Sequence, residues 1–155
     1  MLPKREKVII GRLIKMTDNQ ARASSYLSSI RNIEKRLNNK RLELEALRYK
    51  ASGAGAIRYD KDRVQTTPED FIVKAMNDII RIEKQIEKEE REAEKKKGKA
   101  YSIVRKMDQA EHRIIIEWYY FNGLSMIDAA TRMNIAERTA YYLRDDALEG
   151  FGKLM

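Results

Sequence analysis

The 155-residue chain has no cysteine, one histidine, two prolines and seven glycines. Without cysteine there are no disulfides and no thiolate-held zinc. A lone His112 leaves no histidine cluster for metal or proton-transfer chemistry. No grouping of nucleophile, base and metal ligands is visible elsewhere, so neither an enzyme nor a cofactor or metal is expected. Few prolines and glycines mean little punctuation, hence long elements. Aromatic residues make up 8% and charged residues 36%, a balance that suits long solvated helices better than one thick core. No apolar run approaches the ~18 residues of a membrane span, and the first residues lack the apolar core of a signal peptide.

What is abundant is positive charge. The formal net charge is +8 and the isoelectric point about 9.6, which favours a polyanionic partner, most simply nucleic acid. The distribution is uneven. Residues 1–16 carry five basic groups and one acid, residues 108–155 carry five basic groups and eight acids, and the excess lies in 17–107.

The segment 1–16 interleaves basic residues with Val8, Ile9, Leu13 and Ile14, the pattern of a short packing helix or of a phosphate-contacting arm. Thr17-Asp18-Asn19-Gln20 has the form of a capping box and marks a helix start. Apolar residues then fall at 23, 26, 30, 33, 37, 44, 47 and 51, a heptad seam in which Lys40 occupies one position. Gly53 and Gly55 stop this helix. Thr67-Pro68-Glu69-Asp70 starts another, with threonine as cap, proline in the first turn and acids beside it. Its seam runs Ile72, Ala75, Ile79, Ile82, Ile86, Glu89, Ala93, Lys96, Ala100, Ile103, Met107. The expectation is an all-α chain: a long antiparallel coiled-coil hairpin over 17–107, with helices about 18–51 and 68–107 and loop 52–67, then a small domain over 108–155. Two helices with one narrow stripe each are marginal alone, so the heptad helices are expected to pair two chains as a homodimer.

In 108–155, Asp108-Gln109-Ala110-Glu111 has a capping pattern and opens a third helix. Asn122-Gly123 ends it, and Ser125 with Asp128 caps a fourth, MIDAATRM, expected to bury Ile127, Ala130 and Met133. Met133-Asn134-Ile135 is a turn. A fifth helix from about Glu137 places Ala140, Leu143 and Ala147 inward and Arg138, Tyr141, Tyr142 and Asp145 outward. This is helix-turn-helix spacing. In that motif the start of the second helix meets base edges. Arg138 suits a bidentate pair with guanine; Tyr141 and Tyr142 suit phosphate or a thymine methyl, with Glu137 beside them. Arg132, Ser125 and Arg144, and the run Lys95, Lys96, Lys97 and Lys99, are candidates for backbone phosphate contacts. The alternatives are two core helices that happen to adjoin, and for the lysines a solvated helix face.

EWYYFNGLSMIDAATRMNIAERTAYYLRDDAL resembles region four of bacterial sigma factors, with Tyr120, Gly123, Ser125, Asp128, Ala130, Arg138, Thr139 and Ala147-Leu148 at matching positions and Trp118 at the pattern's first leucine. Tyr26-Leu27 with Ile30, Ile33 and Glu34, the Asp62-Arg63-Val64-Gln65 loop, a second heptad helix and the sigma-like tail together resemble the phage and prophage late-gene transcription regulators of the ArpU and RinA type. Tyr119, Ala129 and Ala136 stand where sigma-like domains usually have arginine, isoleucine and a capping serine. The resemblance implies a dimeric, sequence-specific regulator of phage late or packaging genes in the cytoplasm of a bacterial host, binding double-stranded DNA. Two alternatives follow from the same residues: a recognition subunit of the small-terminase type, and a module that binds RNA polymerase.

Overall fold

The computed structural model describes residues 16–52 and 68–155; the segment 1–15 and the Asp62-Arg63-Val64-Gln65 loop lie outside the described residues. Five α-helices follow one another: α1 Asp18–Ala51, α2 Pro68–Val104, α3 Ala110–Ile116, continued by a π-helical turn over Glu117–Phe121, α4 Met126–Met133 and α5 Glu137–Leu154. No strand occurs among the described residues, so the expected all-α architecture is the one found. No helix among them is long and apolar enough to cross a membrane.

α1 starts where its capping residues require. Gln20 N–H donates to Thr17 Oγ1 at 3.1 Å and Thr17 N–H donates to Gln20 Oε1 at 3.0 Å, so two otherwise orphaned helix-end donors are satisfied reciprocally. α2 begins at Pro68 with Glu69 and Asp70 in its first turn. It ends at Val104, earlier than the seam's last residue, Met107.

Packing divides the chain into two compact units, one of residues 33–94 and one combining 16–32 with 95–155. α1 and α2 contribute to both. In the first, Ile33, Leu37 and Leu44 of α1 meet Ile79, Ile82, Ile86 and Ala93 of α2, flanked by Leu47 and Ala51. Lys40 and Arg41 of α1 pair with Glu89 and Glu90 of α2, whereas Arg48, further along α1, pairs with Glu83, earlier on α2. The hairpin is therefore antiparallel, and its seam is satisfied within one chain. Each buried Ile or Leu contributes ~1.5–3 kcal/mol relative to exposure. Ile72, expected in the seam, is instead half-exposed, because the buried stripe of α2 in this unit runs through 75, 79, 82 and 86.

The second unit packs Ala23, Leu27 and Ile30 of α1 and Ala100, Val104 and Met107 from the α2 end around Ile115, Ile116, Tyr120, Phe121, Met126, Ala129, Ala130, Ala140, Ala147, Leu148 and Phe151. The core of the C-terminal helices thus draws on both hairpin helices rather than closing at residue 108. Tyr26 donates its phenol to the Lys96 carbonyl at 3.0 Å. The start of α1 is tied to α5: Thr17 Oγ1 and Asn19 Nδ2 both donate to the Glu149 carboxylate, Asn19 at 3.1 Å, and Gln20 Nε2 donates to the Asp145 carbonyl at 3.0 Å. Gly152 makes this docking possible. A Cβ there would fall 2.2 Å from the Asn19 carbonyl oxygen.

Candidate nucleic-acid interface

α3 begins one residue later than the Asp108–Glu111 pattern indicates. Its N-cap is Gln109, and no side chain caps it. The α2–α3 connection is held instead by Arg113, whose guanidinium donates to the Met107 carbonyl and, at 3.4 Å, to the Asp108 carbonyl. After Ile116 the helix widens into the π turn, closed by Asn122 N–H donating to the Glu117 carbonyl at 2.9 Å. The widening brings the adjacent Tyr120 and Phe121 both inward, at 2% and 1% exposure. Burial pushes the Tyr120 phenol up to about 12, against a partial lowering by the nearby Arg144 charge and by a hydrogen bond with Ser24. Arg31 of α1 spans the end of the turn. One of its nitrogens donates to the Tyr119 carbonyl and, at 2.9 Å, to that of Leu124, and its guanidinium lies 4.0 Å from the Tyr119 ring centre.

Gly123, at φ +71°, reverses the chain. Ser125 then caps α4, accepting from Asp128 N–H at 3.1 Å and donating to the Asp128 carboxylate at 2.8 Å. α4 buries Met126, Ala129 and Ala130 and half-buries Met133, while Ile127 is 60% exposed. The inward positions are i, i+3, i+4 and i+7, the full amphipathic stripe. Ile127 therefore points outward, not inward as the i, i+3, i+6 spacing of Ile127, Ala130 and Met133 leads one to expect. Asn134 closes the helix in the left-handed conformation, φ 55°, and Ile135 N–H donates back to the Ala130 carbonyl at 3.0 Å. Ala136 is the N-cap of α5 and offers no side-chain hydrogen bond, so the first amides of α5 lack a side-chain cap.

The outer surface of α5 differs in part from the inward and outward faces expected from its sequence. Glu137 and Arg138 are exposed, Tyr142 is 55% exposed, and Arg138 Nε donates to Tyr142 Oη at 3.2 Å. These three, with exposed Arg132 on α4, are brought to the surface. Arg132 lies 6.0 Å from the Trp118 ring centre. Tyr141 is half-buried, because one residue beyond buried Ala140 it borders the inner face. Arg144 is held inside the unit: 17% exposed, hydrogen-bonded to Asp145 at 3.1 Å, with the Tyr119 and Tyr141 rings 5.7 and 5.1 Å away. It braces α5 on the π turn, and a phosphate contact by it is not the role this geometry favours. The Ser125 hydroxyl is likewise committed to its cap. Lys95 and Lys99 of α2 are exposed, Lys96 and Lys97 half-buried. Exposed Ile127 was missed as a surface residue; the i, i+3, i+4, i+7 spacing of 126, 129, 130 and 133 was the available signal.

Among the described residues, no three histidine, cysteine, aspartate or glutamate side chains gather as a metal site. The family model described as "Protein of unknown function (DUF1492)" matches residues 58–151, a span holding all of α2 to α4 and most of α5 but none of α1. No curated protein and no solved structure matches the chain.

Proposed function

The chain belongs to the DUF1492 family, and we propose that it reads double-stranded DNA with α4 and α5. The observation that carries this is the surface pair at the start of α5: Arg138 and Tyr142, joined at 3.2 Å and open to solvent, on a helix reached through a three-residue turn from a serine-capped α4. A major groove accepts one helix. Arg138, with its planar donors held forward by Tyr142, matches the acceptor edge of guanine, and Glu137 stands beside it. Exposed Arg132 of α4 suits a phosphate contact, and exposed Lys95 and Lys99 would add sequence-independent charge. The sigma-like spacing and the resemblance to late-gene regulators of phages support transcription regulation as the biological setting. If two chains act together, their half-sites lie about 34 Å apart or a multiple of that.

Selection of bound duplexes from a random pool with the full chain tests the reading. Enrichment of a motif that loses preference at one base pair in Arg138→Ala supports it. Exposed Ile127 and the acid excess of residues 108–155 favour one competing reading, a surface for RNA polymerase. Polymerase association without duplex binding at low salt is the result that selects it.

A further inference from the structure

On α2, Ile72, Met76 and Ile80 follow at four-residue steps, with Val73 beside them. They are 49%, 48%, 46% and 58% exposed. At 100° per residue they share an arc of about 100° that borders the buried stripe without belonging to it. All four lie in the hairpin unit, which has only two helices and one seam. Such a hairpin is marginal alone, and an apolar ridge of this kind on a monomer's surface marks an interaction site.

We propose that a second copy of this chain covers this ridge, with the two α2 helices antiparallel across a two-fold axis near Met76. Charge decides both the occupant and its direction. Glu69 lies on the ridge's own arc just before Ile72, and Lys84 borders the arc just after Ile80. Glu83 between them is neutralised by Arg48 at 2.7 Å. With Met76 opposite Met76, an antiparallel copy sets Glu69 of each chain across from the Glu83–Lys84 step of the partner subunit, where Glu83 is already paired with Arg48 and Lys84 is the charge left to meet it. A parallel copy would oppose Glu69 to Glu69 and Lys84 to Lys84, with like charges side by side. The ridge is therefore complementary to itself in one direction only, as a two-fold interface requires. Four half-exposed side chains offer roughly 300 Å², less than half of the ~800 Å² per partner of a standard interface, so the dimer is reversible and depends on concentration. This pairing uses a surface other than the heptad seam and does not rest on the DNA-binding reading.

Sedimentation of the full chain without DNA, from micromolar up to ~100 μM, reads association directly. The expected result is a monomer–dimer equilibrium that Met76→Glu shifts at least tenfold toward monomer. Glu69→Lys and Lys84→Glu each weaken it, and the two together in one chain restore it. Because the chain has no cysteine, Met76→Cys carries its only thiol and should form a disulfide-linked dimer on mild oxidation, much faster than Leu42→Cys. Leu42 is 64% exposed on the side of α1 turned away from the seam. Met76 is exposed, so these variants retain the fold, checked by circular dichroism. A parent chain monomeric throughout, a dimer indifferent to Met76→Glu, or equal cross-linking at 76 and 42 each overturns the proposal.

Discussion

Lys40 Nζ and Glu89 Oε1 meet at 2.7 Å in the middle of the apolar seam between α1 and α2, with 24% and 17% of their side chains exposed. Arg36 stands 3.8 Å from the second carboxylate oxygen, which is buried and has no hydrogen-bond partner of its own. The pair interrupts a stripe that could otherwise be continuous. Partial exposure keeps its net contribution small, but removing Lys40 leaves a half-covered carboxylate with only the longer Arg36 contact to offset its charge. Lys40→Leu should therefore cost about 1 kcal/mol, while Lys40→Leu with Glu89→Leu should be neutral or stabilising. A double-mutant cycle by chemical denaturation measures the coupling. Loss of the polar pair should also let the helices slip by a heptad, visible as multiple species between spin labels on α1 and α2.

Gly152 and Gly150 sit in the same helix and carry the same propensity penalty, yet they should respond oppositely to alanine. At 152 the new Cβ meets the Asn19 backbone at 2.2 Å, whereas at 150 its nearest neighbour is Met107 Cε at 3.7 Å. Gly152→Ala should lower stability by ~1–3 kcal/mol and loosen the start of α1. Gly150→Ala should raise it by up to ~1 kcal/mol. Thermal melts of the two variants side by side make the comparison; equal shifts would count against the close approach of α1 to α5.

The Glu149 carboxyl is held below its ordinary value of 4.5, first by the hydrogen bond from Thr17 and then by that from Asn19. A lowered value in the folded state means that ionised Glu149 favours the fold. The contribution is present above pH 4.5 and is lost as the pH falls below that value. Acid should therefore release the start of α1 before the rest of the unit. Amide exchange at Asn19–Arg22, followed down the pH scale in the parent and in Thr17→Val, reads this directly, and the variant should show a smaller acid response.

Arg138→Ala should reduce binding to a selected duplex by ~1–3 kcal/mol and relax preference at one base pair, whereas alanine at both Lys95 and Lys99 should weaken all duplexes alike and flatten the salt dependence. Arg144→Ala should act through stability, since its guanidinium contacts Asp145, Tyr119 and Tyr141. Binding isotherms at several salt concentrations, paired with melts, separate the three behaviours.

At the turn, Asn134 holds φ 55°. Asn134→Gly should change stability by a few tenths of a kcal/mol, and Asn134→Val should cost ~1–2 kcal/mol or more. A valine variant that melts with the parent would sink this account of the turn.

Local signals carried the helix boundaries well. The Thr17–Gln20 box, Pro68 and the Ser125–Asp128 cap each mark a start that the structure keeps, because capping is chemistry between residues three apart. The seam was equally legible, since Ile33, Leu37, Ile79 and Ile86 repeat at heptad intervals. What sequence alone did not reveal depends on distant partners. Ala23, Tyr26 and Ile30 carry the repeat straight on into Ile33, so periodicity tells neither that Ala23 and Ile30 join the core of the C-terminal helices nor that Leu27, beside half-buried Tyr26, is the residue buried there. The π turn has no composition signature in EWYYF; it answers the need to bury Tyr120 and Phe121 together. Arg144 looked like an outward cation because its ring neighbours, Tyr119 and Tyr141, are assembled only by the packing of α5 on the turn. Ile127 was misplaced for a simpler reason: a short helix tolerates two readings of its stripe, and only contact with α5 selects one.

The docking of α1 on α5 also sets an order of events during synthesis. Residues 33–94 hold every partner of the hairpin seam, so that unit can close while the rest of the chain is still being made. Ala23, Leu27 and Ile30 emerge first of all the core residues, yet they must wait, exposed, for Leu148, Phe151 and Gly152, which leave the ribosome more than a hundred residues later. The candidate DNA-reading surface therefore matures after the hairpin seam, and a chain stopped before Leu148 and Phe151 lacks the core on which that surface packs.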